Sequence, residues 1–127
     1  EETNVKAEKP IIAGLYLNRL NRGMPLQACP TLKFAMGNFA IQRILKEYES
    51  IESPYNTYQN TGLPPGPIRL PSADAIDAVL NYTPSNYLYM CAKEDFSGMH
   101  YFSSSLEQHN AYARRYHQAL NRKKIFN

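Results

Sequence analysis

The chain has 127 residues, of which 43% are hydrophobic and 20% are charged, and its formal net charge is +3 at pH 7. This length is that of one domain, and no apolar run approaches the roughly 20 residues that a membrane-spanning helix requires. The basic residues are scattered, except in the final "NRKKIFN". Such a weak and dispersed charge gives no support to nucleic-acid binding.

The chain begins on "EETNVKAEKP" without an initiating Met. We therefore expect a piece of a longer protein, whose signal peptide or membrane anchor lies upstream. Cys29 and Cys91 stand in no zinc-ligand spacing, so a metal site is not predicted. The sequence is compatible with a disulfide between them and equally with two free thiols.

The first helix is predicted over residues 8–22, because apolar residues recur there every three or four positions. Pro10 near its start and Gly23 after its end fit the usual positions of these residues at helix termini. The next stretch, "MPLQACPTLKFAMG" at residues 24–37, predicts an irregular or extended crossing. "NFAIQRILKEYES" at residues 38–50 predicts a second, short helix.

The middle of the chain is the proline-rich loop, residues 55–72, "YNTYQNTGLPPGPIRLPS". Its prolines fix φ and remove backbone donors, so the segment is predicted to be a rigid loop. The "YNTY" at its start offers two aromatic faces and short polar arms, which suits carbohydrate. It is equally typical of a tyrosine pair packed in a core.

A third helix is predicted after the loop, with Ser72 as its N-cap and Pro84 beyond its end. Its apolar residues Ile76, Val79 and Leu80 are expected to face inward.

The last part of the chain predicts a β-hairpin from "YLYMCA" and "HYFS", followed by a final helix. Ser104 and Glu107 match a capping box at the start of that helix. One of its faces is expected to carry Leu106, Ala113, Tyr116 and Leu120. Helices with a small antiparallel sheet make the predicted class α+β, in a single compact domain over residues 1–127.

Two further sets of polar residues are candidates for catalysis or metal binding: one lies at residues 100–110, and the other is Glu2. His100, Glu107 and His109 would suggest a metal set or a nucleophile–histidine dyad, but their spacing matches no such motif. His109 and Asn110 are more simply read as bracing the fold. Glu2 precedes a helix, where a carboxylate usually does no more than favour the helix dipole.

Several stretches, taken together and in order, resemble the endolytic murein (lytic) transglycosylases of the YceG-like type. They are "EET" at 1–3, "LNRL" at 17–20, "GMPLQACPT" at 23–31, "SPYNTYQNTGLPPGPI" at 53–68, "YLYM" at 87–90 and "HYFSSSLEQHN" at 100–110. The block from "YNTY" to "GLPPGPI" is the most specific of them. The resemblance covers nearly the whole chain.

The resemblance implies one catalytic carboxylate, the glutamate of an E-x-E-T-type motif that immediately precedes Thr. In this sequence that residue is Glu2, with Glu1 in the variable position before it. The family's Asp-Pro-Thr stands here as Cys29-Pro30-Thr31, a departure that removes a carboxylate. An essential second acid at that position is therefore not expected.

The resemblance also implies the reaction. Glycoside hydrolases use two carboxylates, whereas lytic transglycosylases use the 6-hydroxyl of N-acetylmuramic acid as nucleophile and leave a 1,6-anhydro end. The expected glycan contacts are Gln27, Tyr55, Asn56, Thr57 and Tyr58. Roles in the cleft or behind it are expected for His100, Ser103, Glu107, His109 and Asn110. No metal or organic cofactor is implied.

Full-length members of the family imply a setting for the reaction. Their N-terminal membrane helix and LysM-like region, which this sequence lacks, place the catalytic part at the cell envelope facing the cell wall. Peptidoglycan glycan strands are the implied substrate, and cell-wall synthases are candidate partners. Because the sequence begins at the catalytic motif itself, we expect that the isolated fragment can be inactive.

Two other functions are considered, a pyridoxal-phosphate lyase and a non-catalytic binding module. The label aminodeoxychorismate lyase, attached to some similar proteins, belongs to a pyridoxal-phosphate enzyme, and this short chain has no glycine-rich phosphate loop for that cofactor. A non-catalytic glycan-binding or scaffold module would keep the loop and its tyrosines, and it would give Glu2 no chemistry.

Overall fold

The computed structural model of the chain describes residues 5–37 and 49–122. These residues contain four α-helices, a short 3-10 helix and one two-stranded antiparallel sheet. In chain order the elements are the 3-10 helix Lys6–Glu8, α1 (Lys9–Asn21), α2 (Cys29–Met36), α3 (Ala73–Leu80), β1 (Tyr89–Ala92), β2 (His100–Ser103) and α4 (Leu106–Arg122). The α+β class is confirmed.

The chain groups into two compact units. Among the described residues, the hairpin unit contains residues 5–18 and 71–122, and the loop unit contains residues 19–37 and 49–70. The loop unit thus holds most of the proline-rich loop, and the hairpin unit holds the whole sheet.

The core of the hairpin unit lies among α1, α3, the hairpin and α4. Its buried apolar residues are Ile12, Leu15, Ala78, Leu88, Ala119 and Leu120. In the sheet, Tyr89 pairs with Ser103 and Cys91 pairs with Tyr101, and α4 packs on both strands. The rings of Tyr101 and Tyr112 stack with centroids 4.1 Å apart, which fixes α4 against the sheet.

Helix α1 is also bonded to the segment that precedes β1. The N–H of Thr83 donates to the carbonyl oxygen of Pro10 at 3.1 Å. The side-chain amide of Asn18 donates to the carbonyl oxygens of Ser85 and Tyr87, each at 2.9 Å. These bonds satisfy one N–H and two carbonyl groups of the irregular segment between α3 and β1.

The loop unit contains α2, which corrects the prediction of an irregular stretch over residues 24–37. Pro30 occupies the first turn, where its missing N–H is harmless, and Gly37 ends the helix with φ 71° and ψ 21°. Pro30 thus stands at the start of this helix and does not interrupt it. The unit buries Leu26, Ala28 and Leu32.

The predicted inward face of α3 is wrong, although the helix and its Ser72 cap are confirmed. Ile76, Val79 and Leu80 are 49%, 53% and 76% exposed, whereas Ala78 is 3% exposed. The helix therefore turns its small residue, not its large ones, into the core. Periodicity identified the helix but not the side that packs.

The cap of α4 lies one residue later than the predicted capping box of Ser104 and Glu107. The Ser105 hydroxyl accepts from the N–H of Gln108 at 3.2 Å, so Ser105 is the N-cap of α4. Leu106 is correspondingly 55% exposed and does not join the buried face that contains Leu120. Three consecutive serines left this register undetermined in the sequence.

Other predicted elements stand close to their expected bounds. The first helix runs as α1 with a 3-10 turn before it, and the hairpin is confirmed. The predicted helix at residues 38–50 falls mostly outside the described residues. Among the residues that are described, no helix has the length and apolarity required to cross a bilayer.

We predict that Gly14→Ala destabilises the protein. A Cβ atom at Gly14 would overlap the carbonyl oxygen of Thr83, which is backbone and has little freedom to retreat. Relief of such an overlap costs about 1–3 kcal/mol. Helix propensity alone would instead stabilise alanine over glycine by about 1 kcal/mol. Urea denaturation distinguishes the overlap, which lowers the free energy of unfolding, from the helix propensity, which raises it. A higher free energy of unfolding for Gly14→Ala would contradict the close approach of Gly14 to the Thr83 carbonyl oxygen.

Candidate active site

The expected acid, Glu2, lies outside the described residues. The other expected site residues fall into two groups. Gln27 and residues 55–58 belong to the loop unit, whereas His100 to Asn110 belong to the hairpin unit. The description of the site therefore consists of two local arrangements.

Thr57 anchors the start of the proline-rich loop to the N-terminus of α2. It is 1% exposed, and its Oγ1 accepts from the N–H of Ala28 at 2.9 Å. The Thr31 hydroxyl donates to the Ala28 carbonyl at 2.7 Å and lies 2.7 Å from the Thr57 hydroxyl. Since Thr31 has one proton, Thr57 is the donor between the two hydroxyls. The Thr57 carbonyl also accepts from the N–H of Gln27 at 3.1 Å.

Asn56 makes a second anchor inside the loop. It is fully buried, and its amide nitrogen donates to the carbonyls of Glu49 and Ile51 at 3.1 and 2.7 Å. Its Oδ1 accepts from the N–H of Tyr58 at 3.0 Å. The amide thus closes the turn that leads into the tyrosines, as asparagine does in Asx turns.

These bonds bear on the expected glycan contacts. The polar atoms of Asn56 and Thr57 are used within the loop unit, and neither side chain is exposed. Direct glycan contact by these two residues stays a prediction. Their observed arrangement is that of residues that hold the loop in shape.

The two tyrosines are half-buried, and each has a partner. The ring of Tyr55 lies against the ring of Phe34, with centroids 4.7 Å apart. Its hydroxyl lies close to the backbone of Gly66, because a Cβ atom added to Gly66 would stand 3.3 Å from the hydroxyl oxygen. The Tyr58 hydroxyl lies 3.2 Å from the Cys29 Sγ. The residue at the family's aspartate position is therefore in contact with the "YNTY" motif.

Gln27 differs from its neighbours, because it is exposed and its φ is 52°. A non-glycine residue in the left-handed region is strained by about 1–3 kcal/mol and persists only where its surroundings impose it. The bond from its N–H to Thr57 is one such constraint. Backbone strain beside an exposed amide is a common property of functional positions.

In the hairpin unit, the strongest polar contact joins His100 to Glu8. The N–H of His100 donates to Glu8 Oε2 at 2.7 Å, and its Nδ1 lies 2.9 Å from Glu8 Oε1. Glu8 is 4% exposed. The sequence analysis missed this residue, although a signal was present: Glu8, Ile12 and Leu15 share one helical stripe, and a charged residue on a buried stripe is unusual.

The remaining expected residues of this group do not converge on one point. Ser103 is 6% exposed, and no partner for its hydroxyl occurs within the described ranges. His109 is half-buried and stacks on Tyr89 with ring centroids 5.2 Å apart. Glu107 and Asn110 are exposed on α4. The structure thus pairs His100 with Glu8 and leaves these other positions spread along β2 and α4.

The cysteines are free thiols, and Cys91 is not a nucleophile at neutral pH. Burial raises the pKa of Cys91 to about 11, with a further contribution from the charge of Glu94. The reactive form of cysteine is the thiolate, and this pKa keeps the thiol protonated. Within residues 5–37 and 49–122, no cluster of three potential metal-binding side chains occurs.

Comparison with known proteins decides the family. A model of the YceG-like family matches residues 1–115, which include Glu2, the proline-rich loop and the hairpin. The chain belongs to the YceG-like family. The resemblance found in the sequence is thereby confirmed.

Two curated relatives carry the same name, endolytic murein transglycosylase. The one from Bacillus subtilis strain 168 is 40% identical over 123 residues, which are 97% of this YceG-like chain and 33% of the relative. The one from Streptococcus pneumoniae strain D39 is 39% identical over 115 residues, 87% of this chain and 21% of the relative. The chain therefore spans a third or less of the length of either protein.

A solved structure has the same fold. A crystallised YceG-like protein from Listeria monocytogenes matches with a TM-score of 0.80 and 38% identity. The match covers 87% of this chain and 35% of that chain.

We predict that Thr57→Val lowers the free energy of unfolding by about 1–3 kcal/mol, because it leaves the Ala28 N–H without its acceptor. Thr61→Val is a matched control in the same loop, since Thr61 is exposed. It is expected to change stability by less than about 0.5 kcal/mol. Equal losses for both variants in chemical denaturation would show that the Thr57 hydroxyl is not an anchor.

Proposed function

We propose that this YceG-like chain is the catalytic part of a peptidoglycan lytic transglycosylase. The bond cut is the β-1,4 linkage between N-acetylmuramic acid and N-acetylglucosamine. The observation that carries the proposal is the near-complete match of the chain, at 39% and 40% identity, to two proteins named endolytic murein transglycosylase. The match includes the whole segment from the expected acid to the hairpin.

Glu2 acts first as general acid. Its carboxyl group protonates the glycosidic oxygen as the bond between that oxygen and C1 of N-acetylmuramic acid breaks. The 6-hydroxyl oxygen of the same sugar then bonds to C1, and its proton passes to the Glu2 carboxylate. The products are a 1,6-anhydro-muramyl end and a new 4-hydroxyl, so one carboxylate serves twice and no water is consumed.

The substitution at position 29 supports a mechanism with one carboxylate. Cys29 stands where the family has aspartate, and its Sγ contacts the Tyr58 hydroxyl. A thiol there supplies no second acid of glycosidase type, whereas the two-carboxylate mechanism requires one. The chemistry then rests on Glu2 and on the positioning of the glycan.

Positioning is the role of the loop unit. Gln27, Tyr55 and Tyr58 keep exposed or half-exposed side chains, and we assign direct glycan contacts to them. An aromatic ring with a hydroxyl group matches the mixed apolar and polar surface of a sugar. Asn56 and Thr57 hold this surface in place through their buried hydrogen bonds.

The finer assignments follow from the same proposal. His100, Ser103, Glu107, His109 and Asn110 have supporting roles within the hairpin unit. The enzyme acts at the cell envelope on glycan strands, is attached to the membrane by a segment N-terminal to this chain, and ends strand growth beside the cell-wall synthases.

The test is a comparison of Glu2→Gln with Glu1→Gln in the full-length protein. Peptidoglycan is incubated with each variant, and the new ends are identified by mass spectrometry. Glu2→Gln is expected to lower the yield of 1,6-anhydro-muropeptides by at least about 100-fold, the usual effect of losing a general acid. Glu1→Gln, in the variable position of the motif, is expected to stay within about threefold of the unsubstituted protein.

Two other results would contradict the catalytic role of Glu2 or the enzymatic function. Equal activity of both variants would remove Glu2 from the catalytic role. Retention of glycan without cleavage by the unsubstituted protein would favour a binding or scaffold module.

A further inference from the structure

The buried carboxylate of Glu8 stands six residues after the proposed acid and is bonded to β2. Both of its carboxylate oxygens contact His100. Oε2 accepts a hydrogen bond from the backbone N–H at 2.7 Å, and Oε1 lies 2.9 Å from the ring Nδ1. The side chains of Glu8 and His100 are only 5% and 14% exposed. Such a two-point contact fixes both the strand and the orientation of the ring.

The contact also selects the tautomer of the ring. An ionised carboxylate has no proton to donate, so the hydrogen bond at 2.9 Å requires a proton on Nδ1. In the neutral ring the other nitrogen, Nε2, then carries a lone pair and is an acceptor. Within residues 5–37 and 49–122, the hydrogen bond of the His100 ring is the one from Nδ1 to Glu8, and none uses Nε2.

The pair lies next to the hairpin turn that joins β1 to β2. Val5, which precedes the 3-10 helix that ends at Glu8, lies beside this turn, since a Cβ atom at Gly98 would stand 3.9 Å from its Cγ2. His100 begins the strand that leaves this turn.

A purely structural role accounts poorly for these residue types. Burial of a carboxylate and an imidazole is costly, and well-packed apolar residues of similar volume commonly stabilise a fold at least as well. A carboxylate bonded to a histidine Nδ1 is, however, the standard way in which proteins orient an imidazole for use at Nε2.

We propose that Glu8 is a positioning residue, which holds His100 so that its Nε2 accepts a hydrogen bond from a hydroxyl group of the bound glycan. This inference rests on the proposed function, since it names the glycan as the ligand.

The informative variant is Glu8→Gln, which keeps the shape of the side chain. Its amide oxygen accepts from the His100 N–H, and its amide nitrogen donates to Nδ1. The proton then moves to Nε2, which becomes a donor. The variant therefore inverts the tautomer with little change in packing, whereas a role confined to structure is indifferent to the inversion.

The experiment uses full-length protein labelled with ¹⁵N-histidine. Long-range ¹H–¹⁵N spectra identify the protonated nitrogen of His100, and His100→Gln assigns its signals. The probe is a tetrasaccharide of alternating N-acetylglucosamine and N-acetylmuramic acid. His117→Gln, at an exposed position of α4, is the control for the spectra, and Glu52→Gln, at an exposed position of the loop unit, is the control for activity.

We expect a proton on Nδ1 in the unsubstituted protein and a shift of the Nε2 signal when the tetrasaccharide is added. Glu8→Gln should carry the proton on Nε2, melt within a few degrees of the parent and lose at least about tenfold in kcat or glycan affinity, the size of effect known for the orienting partners of metal-bound histidines. The controls should stay within about twofold.

Three results would overturn the inference: a proton on Nε2 in the unsubstituted protein, no response of Nε2 to saturating tetrasaccharide, or full activity of Glu8→Gln with the inverted tautomer. Because the spectra require no turnover, they separate this inference from the proposed reaction. If the glycan shifts Nε2 but no anhydro ends form, the reaction is wrong and the contact stands.

Discussion

The buried side chains of Asn56 and Thr57 are the constraint on which the loop unit depends. The prolines that follow them lack the N–H groups from which a helix or sheet is built, so regular backbone bonding cannot hold this segment. Asn56 closes a turn through three backbone groups, and Thr57 connects that turn to the start of α2. Without these bonds, a rigid proline segment would have no fixed position from which to present its tyrosines.

The same bonds determine the surroundings of Gln27 and Cys29. Thr57 accepts from the N–H of Gln27 and Tyr58 contacts the thiol of Cys29, so the short stretch before α2 is held against the "YNTY" motif. Two segments that lie 29 residues apart in sequence thus form one surface. The surface combines strained backbone, exposed amide and aromatic hydroxyl groups, which is a suitable set for a ligand rich in hydroxyls.

Sequence patterns predicted much of the fold for identifiable reasons. Helix α1 and the hairpin were predictable because their apolar spacing and turn residues agree with each other. Helix α2, which Pro30 begins, was predicted as an irregular stretch, and α3 was turned the wrong way because Ala78, a small residue, does the packing. The cap of α4 was misplaced among three serines that are equivalent in sequence and distinct in space.

The site was only partly predictable from the same patterns. The residue types of "YNTY" and the resemblance to the YceG-like family both drew attention to residues 55–58, but neither distinguished residues that face outward from those that hold the loop. Glu8 was missed because its partner lies 92 residues away, and local patterns carry no information about such contacts. The one local sign of it was a charged residue at the start of the buried stripe that continues into α1 as Ile12 and Leu15.

The central claim is that the 6-hydroxyl of the sugar, and not water, is the nucleophile. The direct measurement is cleavage of peptidoglycan by the full-length protein in ¹⁸O-labelled water, with mass analysis of the new ends. The account predicts 1,6-anhydro ends that contain no ¹⁸O, since no water oxygen enters the product. Reducing ends that carry ¹⁸O would contradict it, and they would require a water-activating base that the account does not contain.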